Sequence, residues 1–562
     1  MTRSTPSAGS QLRRFLTARL ISLLVIAHGA LILLITVHET TSQHRPILSG
    51  STIAQYDAPL LIGISLLYIG ILLARRKYTA WVVTVTIYVF YLGLGVASFQ
   101  LADDRGILSE LVILRTLVFP LLILGLLAVY RREFVVRSDP QGLRVGVRTA
   151  TLVLTAALLY GITGFTLLDK TDFHEEIGFA AAAHNTIDQF GLTTNHLVQP
   201  HTRRAQVFLD SLSVVSVGAA INSSLAFFQP LRSRRHASVS ERQRMHELLA
   251  RYGAPSEDYF KLWPLDKQYF FSSDQTCALA YHVWRGNAIC LGDPVGAESS
   301  FGRLLSEFND ICYLNDWQPA FVHTLSKHED IYGAQGYQLH AIGREAVVDL
   351  EHFTSQVVRN KYFRNIRNRF NKQQWTAELL QPPHSPALIA RLRVVSDDWL
   401  QRGDRSERGF AMGYFDDDYL QQCSMMVVRD AAGTIQGFLN QLPAEFDSHE
   451  ATYDLLRFCE QRTGNVADYL LLSFAEQLTA AGYSKLNLGL CPLAGLDDSD
   501  GLIANLMRFA YANGDKLFSF SGLYRFKNKY EPEWRPRYAA YRGGIRGFSR
   551  AVTALTRIMR VC

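Results

Sequence analysis

The chain has 562 residues, of which 48% are hydrophobic and 19% charged, with a formal net charge of +6 and a mean hydropathy of +0.03. A chain of this length and apolarity is not wholly water-soluble, and the modest charge says less by its size than by its arrangement. Seven cysteines, at 277, 290, 312, 423, 459, 491 and 562, are scattered without a C-x-x-C pair, which argues against a zinc ribbon or a disulfide framework and suits a reducing cytosol.

The apolar runs crowd into the N-terminal part. They cover 20–37, 58–74, 78–99, 111–130, 149–168 and 205–228, each near the length that crosses ~30 Å of hydrocarbon, so about six spans are expected within 1–235. The first has no small-residue cleavage site after it and reads as an anchor that stays. Basic residues flank alternate ends: Arg3, Arg13, Arg14 and Arg19; Arg75, Arg76 and Lys77; Arg131, Arg132, Arg137, Arg144 and Arg148; Arg232, Arg234 and Arg235. The excess of positive charge on cytoplasmic loops then places both termini in the cytosol. Arg115 and Asp210 fall inside or near spans; they read either as the lining of a lipid or transport path or as groups reaching an interface. His174, His184, His196 and His201 lack tight ligand spacing and predict no metal site.

Past 235 the texture becomes that of a soluble α/β protein. In 236–375 a helix at 239–252 precedes a hairpin at 276–291 that turns at Arg285, Gly286 and Asn287. Next come a helix at 299–314, a strand at 319–323, a short helix near 327–335 and a strand at 339–350. In 376–562 a similar order returns: a helix at 385–401, a hairpin over 425–443, a strand at 450–456, a helix at 466–481 closed by Gly482, a strand at 485–490 and a helix at 502–513. The predicted architecture is an α-helical transmembrane bundle followed by two α/β lobes. Between the lobes Lys361, Arg364, Arg367, Arg369 and Lys372 recur at helical spacing; this basic helix reads either as a solvated face or as a surface for a polyanion such as tRNA or an anionic membrane.

Two stretches suggest chemistry. In the strand Ala451-Thr-Tyr-Asp454-Leu-Leu-Arg457 a carboxylate and a guanidinium interrupt an apolar run; they read as a structural ion pair, or as a group that orients or deprotonates a nucleophile beside one that holds an anion. Near the C-terminus Tyr524, Arg525, Lys527, Lys529, Tyr530, Trp534, Arg535, Arg537 and Tyr538 interleave cations with aromatics, which suits phosphate contact with ring stacking or an ordinary surface strand. There is no P-loop, G-x-S-x-G elbow, H-E-x-x-H or dinucleotide glycine fingerprint. A transferase that positions two bound substrates fits these absences.

Four pieces in order, Gly409-Phe-Ala-Met-Gly413-Tyr-Phe-Asp416, Thr452-Tyr-Asp454-Leu-Leu-Arg457, Phe518 through Lys527 to Tyr530, and Pro532-Glu-Trp534-Arg-Pro-Arg537-Tyr538, resemble the phosphatidylglycerol aminoacyltransferases of the multiple peptide resistance factor family over about 252–541. The resemblance implies two acetyltransferase-like (GNAT-type) folds and transfer of an aminoacyl group, lysyl or alanyl, from aminoacyl-tRNA to the glycerol hydroxyl of phosphatidylglycerol. It further implies no cofactor and a multi-pass protein of the bacterial inner membrane that alters membrane charge and resistance to antimicrobial peptides. By the same resemblance Asp454, Arg457, Lys527 and Lys529 become catalytic candidates, with Arg525, Arg537, Lys361, Arg364 and Arg367 as binding candidates. Relatives carry more spans and a flippase portion, whereas about six are expected here, so whether the product is flipped stays open. Competing expectations are a GNAT-type enzyme with another donor or lipid acceptor, and a lipid flippase or scaffold whose lobes only bind. The amino acid transferred and the oligomeric state, homo-oligomer included, stay open.

Overall fold

The computed structural model describes residues 8–42, 63–101, 117–134, 136, 140–168, 172–173, 177–189, 201–209, 211–212, 237–253, 256–402, 405–443, 449–459, 464–494 and 520–560. The chain divides into two compact units, Met1–Arg232 with the short segment Tyr313–Asp316, and Ser233–Cys312 with Trp317–Cys562.

The first unit is helical: α1 (Ala8–Ser42), α2 (Gly63–Ala74), α3 (Tyr78–Leu101), α4 (Phe119–Val129), α5 (Pro140–Leu167) and α6 (Phe179–Gln189). Among the described residues one stretch, Ala18–Ile35 in α1, is long and apolar enough to cross a membrane, with a mean hydropathy of 2.3. Gly63–Ala74, Tyr78–Val89, Phe119–Val129 and Thr151–Leu167 are apolar but shorter. The expected sixth span is described only at its start, and Arg115, Asp210, His174 and His196 lie outside the described residues. Small residues let α1 and α2 approach closely. A Cβ on Gly29 would sit 2.8 Å from the Gly63 carbonyl oxygen, and Ser22 Oγ donates to Gly70 O at 2.7 Å.

The second unit begins with α7 (Val239–Tyr252), closed at its start by a capping box between Ser238 and Glu241. Then follow β1 (Gln268–Phe271), β2 (Cys277–Trp284), β3 (Asn287–Leu291), β4 (Val295–Gly296), α8 (Phe301–Leu314), β5 (Gln318–Thr324), α9 (Glu329–Ala334), β6 (Gln338–Asp349), α10 (Leu350–Ser355) and α11 (Lys361–Lys372). The second half has β7 (Thr376–Leu380), α12 (Pro386–Leu400), α13 (Asp417–Leu420), β8 (Ser424–Arg429), β9 (Ile435–Gln441), β10 (Glu450–Phe458), α14 (Val466–Ala480), β11 (Lys485–Pro492), α15 (Phe520–Asn528), β12 (Glu533–Tyr541) and α16 (Gly544–Ile558). The helix expected at 502–513 lies outside the described residues. In the first hairpin Arg285 and Gly286, at φ +44° and +76°, make a two-residue turn, and Asn287, expected in that turn, already pairs with Trp284.

Both halves share one mixed sheet in the order β1-β2-β3-β5-β12-β6-β11-β10-β9-β8-β7, with β4 on β2. Strand β12, late in sequence, lies between β5 and β6 of the first half, antiparallel to both. Alternation along β8 shows how the two faces are covered: Met426 and Val428 join the cluster of Phe363, Phe370, Leu470 and Phe474, while Met425 and Val427 join that of Leu392, Phe410, Tyr419 and Ala554. Helix α14 is buried at almost every position from Val466 to Ala475, as a helix between a sheet and further helices must be. On α11 the residues Phe363, Ile366 and Phe370 form the buried stripe, and Phe370 stacks on Tyr469 at 4.3 Å between centroids.

Candidate functional site

Among the described residues two parallel strand pairs occur in the sheet, each joined by a helix. In the first, β3 and β5 match over five residue pairs, Asn287↔Gln318 to Leu291↔Val322. In the second, β10 and β11 match only at Glu450↔Lys485, Ala451↔Leu486 and Thr452↔Asn487, although β10 runs on to Phe458 and β11 to Pro492. Past that point β10 continues on β9 and β11 on β6, and each strand has a register shift where it departs, between Tyr453 and Leu456 and between Asn487 and Leu490. The strands therefore part at their carboxyl ends, which is where open α/β sheets present ligand crevices.

The bulge in β10 decides what faces that region. Three apart on a regular strand, Asp454 and Arg457 would point to opposite sides. The irregularity removes one step of the alternation, and both reach the α12 and α13 side. Asp454 Oδ1 accepts the Gly413 N–H at 3.0 Å, and Oδ2 accepts the Tyr419 hydroxyl at 2.8 Å. A Cβ at Gly413 would lie 1.9 Å from Asp454 Oδ2, so only glycine lets the carboxylate come this close. Burial pushes the Asp454 carboxyl up to about 6, against the lowering pull of its two donors and of Arg457.

Arg457 is not paired with Asp454. Its Nη1 and Nη2 donate to Glu407 Oε1 and Oε2 at 2.8 and 2.5 Å, and Nη1 also donates to Ser396 on α12. Glu407 Oε1 in turn accepts the Phe415 N–H at 3.2 Å. Two motifs that are separate in sequence, 409–416 and 452–457, thus become one hydrogen-bonded unit. Asp266 adds to it from the first half by accepting the Phe410 N–H at 2.9 Å, while Trp263 stacks on Tyr419 at 4.9 Å. Next to Asp266, burial lowers the Lys267 ammonium to about 8.

On the β11 side, Gly489 at φ +81° sits in the bulge, and its N–H is held by Asn487 Oδ1 at 2.8 Å. The bulge turns two carbonyls outward, and Lys527 Nζ donates to both, Gly489 O at 2.9 Å and Leu490 O at 3.0 Å. Lys529 joins a different cluster, donating to Asp468 Oδ1 at 2.5 Å and to the Tyr362 hydroxyl at 3.0 Å. Tyr530 and Tyr362 also donate to Asp468, at 2.9 and 2.8 Å. This cluster ties α11, α14 and the segment after α15 together.

The remaining candidates are spread out. Arg537 forms a buried pair with Glu345 across β12 and β6, 4.0 Å from which His323 is held below the ordinary histidine range by burial. Arg525 is exposed on α15. Lys361 and Arg364 are exposed on α11, and Arg367 pairs with Glu476. Sequence reading missed Glu407, Tyr419, Asp468 and Tyr362. Glu407 stands two residues before a quoted motif and Asp468 in the buried, largely apolar first half of its helix, which were the available signals. Among the described residues no group of His, Cys, Asp and Glu is arranged to hold a metal ion.

The profile of the family described as phosphatidylglycerol lysyltransferase, C-terminal, matches residues 246–541. The chain belongs to this family. The match contains the parted strands and all nine candidate residues. The chain is 33% identical over 297 residues to the phosphatidylglycerol lysyltransferase of Bacillus subtilis (strain 168), covering 52% of this chain and 34% of that one. It is 29% identical over 298 residues to the enzyme of the same name from Staphylococcus aureus (strain MSSA476), covering 53% and 35%. Each match thus spans about a third of the relative's length. Among solved structures, L-PGS from Bacillus licheniformis is 30% identical, with a TM-score of 0.49, over 56% of this chain and 95% of that one.

Proposed function

We propose that this chain moves a lysyl group from aminoacyl-tRNA to the glycerol hydroxyl of phosphatidylglycerol at the membrane. The observation that carries the reading is Asp454, a carboxylate with its affinity for a proton raised to about 6, standing where β10 leaves β11. In the proposed step the lipid hydroxyl oxygen bonds to the aminoacyl carbonyl carbon and the bond to the tRNA ribose oxygen breaks. The hydroxyl proton passes to Asp454 and then to the departing ribose oxygen. One ester replaces another, so the step balances without a further reactant. Glu407 and Arg457 act as positioning residues, holding the 407–415 segment against which Asp454 is set. Lys527 orders the β11 bulge, and the exposed cations Lys361 and Arg364, with Arg525, meet the polyanionic donor. In the same reading 236–375 and 376–562 are two acetyltransferase-like lobes, and about six spans leave both termini and the lobes in the cytosol.

The test expresses the full chain in a bacterial host that makes no aminoacyl lipids and examines total lipid by mass spectrometry. Lysyl-phosphatidylglycerol is expected with the wild type and not with Asp454→Asn. Ribonuclease added to a membrane assay is expected to stop product formation. Equal lipid profiles from the two, with both proteins in the membrane, would sink the reading.

A further inference from the structure

Beyond residue 541, where the family match ends, the chain adds α16. Arg542, Arg546 and Arg550 stand four residues apart, which sets them along one face of this helix and the turn before it. All three border a cavity of about 160 Å³ whose opposite wall is the starting ends of β3 and β5, at Asn287 and Gln318. Among the described residues none that lines it is acidic. Arg542 is fixed in place, donating to Gln335 O and lying 4.2 Å from the Tyr337 ring centroid, and neither it nor Arg546 has a carboxylate partner among the described residues. The helix contributes in the same sense: its N-cap is Gly543, which offers no side chain, and there is no acidic residue in its first turn.

The surroundings decide between anions. Ile545 and Val552 are 38% and 45% exposed beside the exposed Arg546 and Arg550, a mixture of apolar and cationic groups that belongs at a bilayer surface. An RNA site would present exposed aromatic rings for base stacking, and α16 exposes none. The cavity is also smaller than the roughly 300 Å³ at which pockets for larger organic ligands begin. We propose that it binds the phosphodiester of an anionic glycerophospholipid and docks α16 on the membrane surface, a role that does not depend on the transfer reaction.

The test uses the full chain in nanodiscs and follows backbone hydrogen exchange over 541–552 by mass spectrometry. Discs of phosphatidylcholine containing phosphatidylglycerol are expected to slow exchange there relative to phosphatidylcholine alone. The double variant R546Q/R550Q is expected to remove the difference and to weaken binding of short-chain phosphatidylglycerol about tenfold or more. Both side chains are exposed, and unchanged exchange in β2 and β3 verifies the variant's fold. Equal exchange in the two kinds of disc overturns the proposal. So does protection by inorganic phosphate equal to that by the lipid, which would mark a free-phosphate site, or protection by tRNA where phosphatidylglycerol gives none.

Discussion

Replacing Asp454 by Asn tests the proposed proton transfer without dismantling its surroundings. The amide can keep its oxygen toward the Gly413 N–H and turn its NH₂ toward the Tyr419 oxygen, so both neighbours retain a partner. Loss of a positioned general base lowers the rate about 10²- to 10⁴-fold. Stability should move the other way. The folded carboxyl is raised from 3.8 to about 6, so the unfolded chain ionises first as pH rises, and the native state loses stability between those values. At pH 7 the charge costs on the order of 3 kcal/mol at most, which Asn removes. In lysyl transfer by reconstituted protein, kcat/KM for the wild type should fall tenfold per pH unit below about 6. Tyr419→Phe, which deletes a donor that lowers the Asp454 value, should move that limb to higher pH. An Asp454→Asn enzyme within tenfold of wild type, or a limb that Tyr419→Phe leaves in place, would refute the reasoning.

Arg457→Lys replaces a two-pronged contact with Glu407 by a point charge and should lower stability by about 1–3 kcal/mol, read by denaturation of the purified protein, with transfer falling because the Phe415 amide loses its fixed acceptor. Gly413→Ala drives a methyl into Asp454, so activity should drop at least tenfold while the protein remains folded by circular dichroism. Asp468→Asn leaves Lys529 without its carboxylate and the Tyr362 and Tyr530 hydroxyls with a weaker acceptor, and should cost about 1–3 kcal/mol in the same denaturation measurement.

Much of the architecture is legible because it rests on local rules. The hairpin at Arg285-Gly286, the helix closed by Gly482 and the strand with Asp454 are each specified by a few neighbouring residues. The placement of β12 is not. A strand from residues 533–541 inserts between two strands that end before 350, and nothing in its own pattern names those partners. The same limit applies to Arg457. Within one strand it looks like a companion of Asp454, whereas its partner Glu407 lies fifty residues away on a segment without regular structure. Long-range pairing also explains Lys527 and Lys529: two residues apart in a basic tail, they serve a strand bulge and a helix start respectively.

The two parallel pairs show why the second half carries the candidate site. Each has a half-buried aspartate just past its paired residues, and the two are used oppositely. Asp293, after β3, accepts the Leu325 N–H at 2.9 Å, directly beyond the end of β5, and the Tyr332 hydroxyl at 3.0 Å, and Gly292 N–H donates to Val322 O at 2.7 Å. That carboxylate ties the two strand ends together. Asp454 makes the same kinds of bond, one amide and one tyrosine hydroxyl, but to 413 and 419, away from β11, and the strands part. Burial raises both carboxyls above the ordinary aspartate range, so an elevated proton affinity alone does not mark the site; the direction of the hydrogen bonds does. Asp293→Asn should therefore alter stability while leaving kcat/KM for lysyl transfer within about threefold of wild type. If a folded Asp293→Asn protein loses transfer as completely as Asp454→Asn, the assignment of the chemistry to the parted strands is wrong.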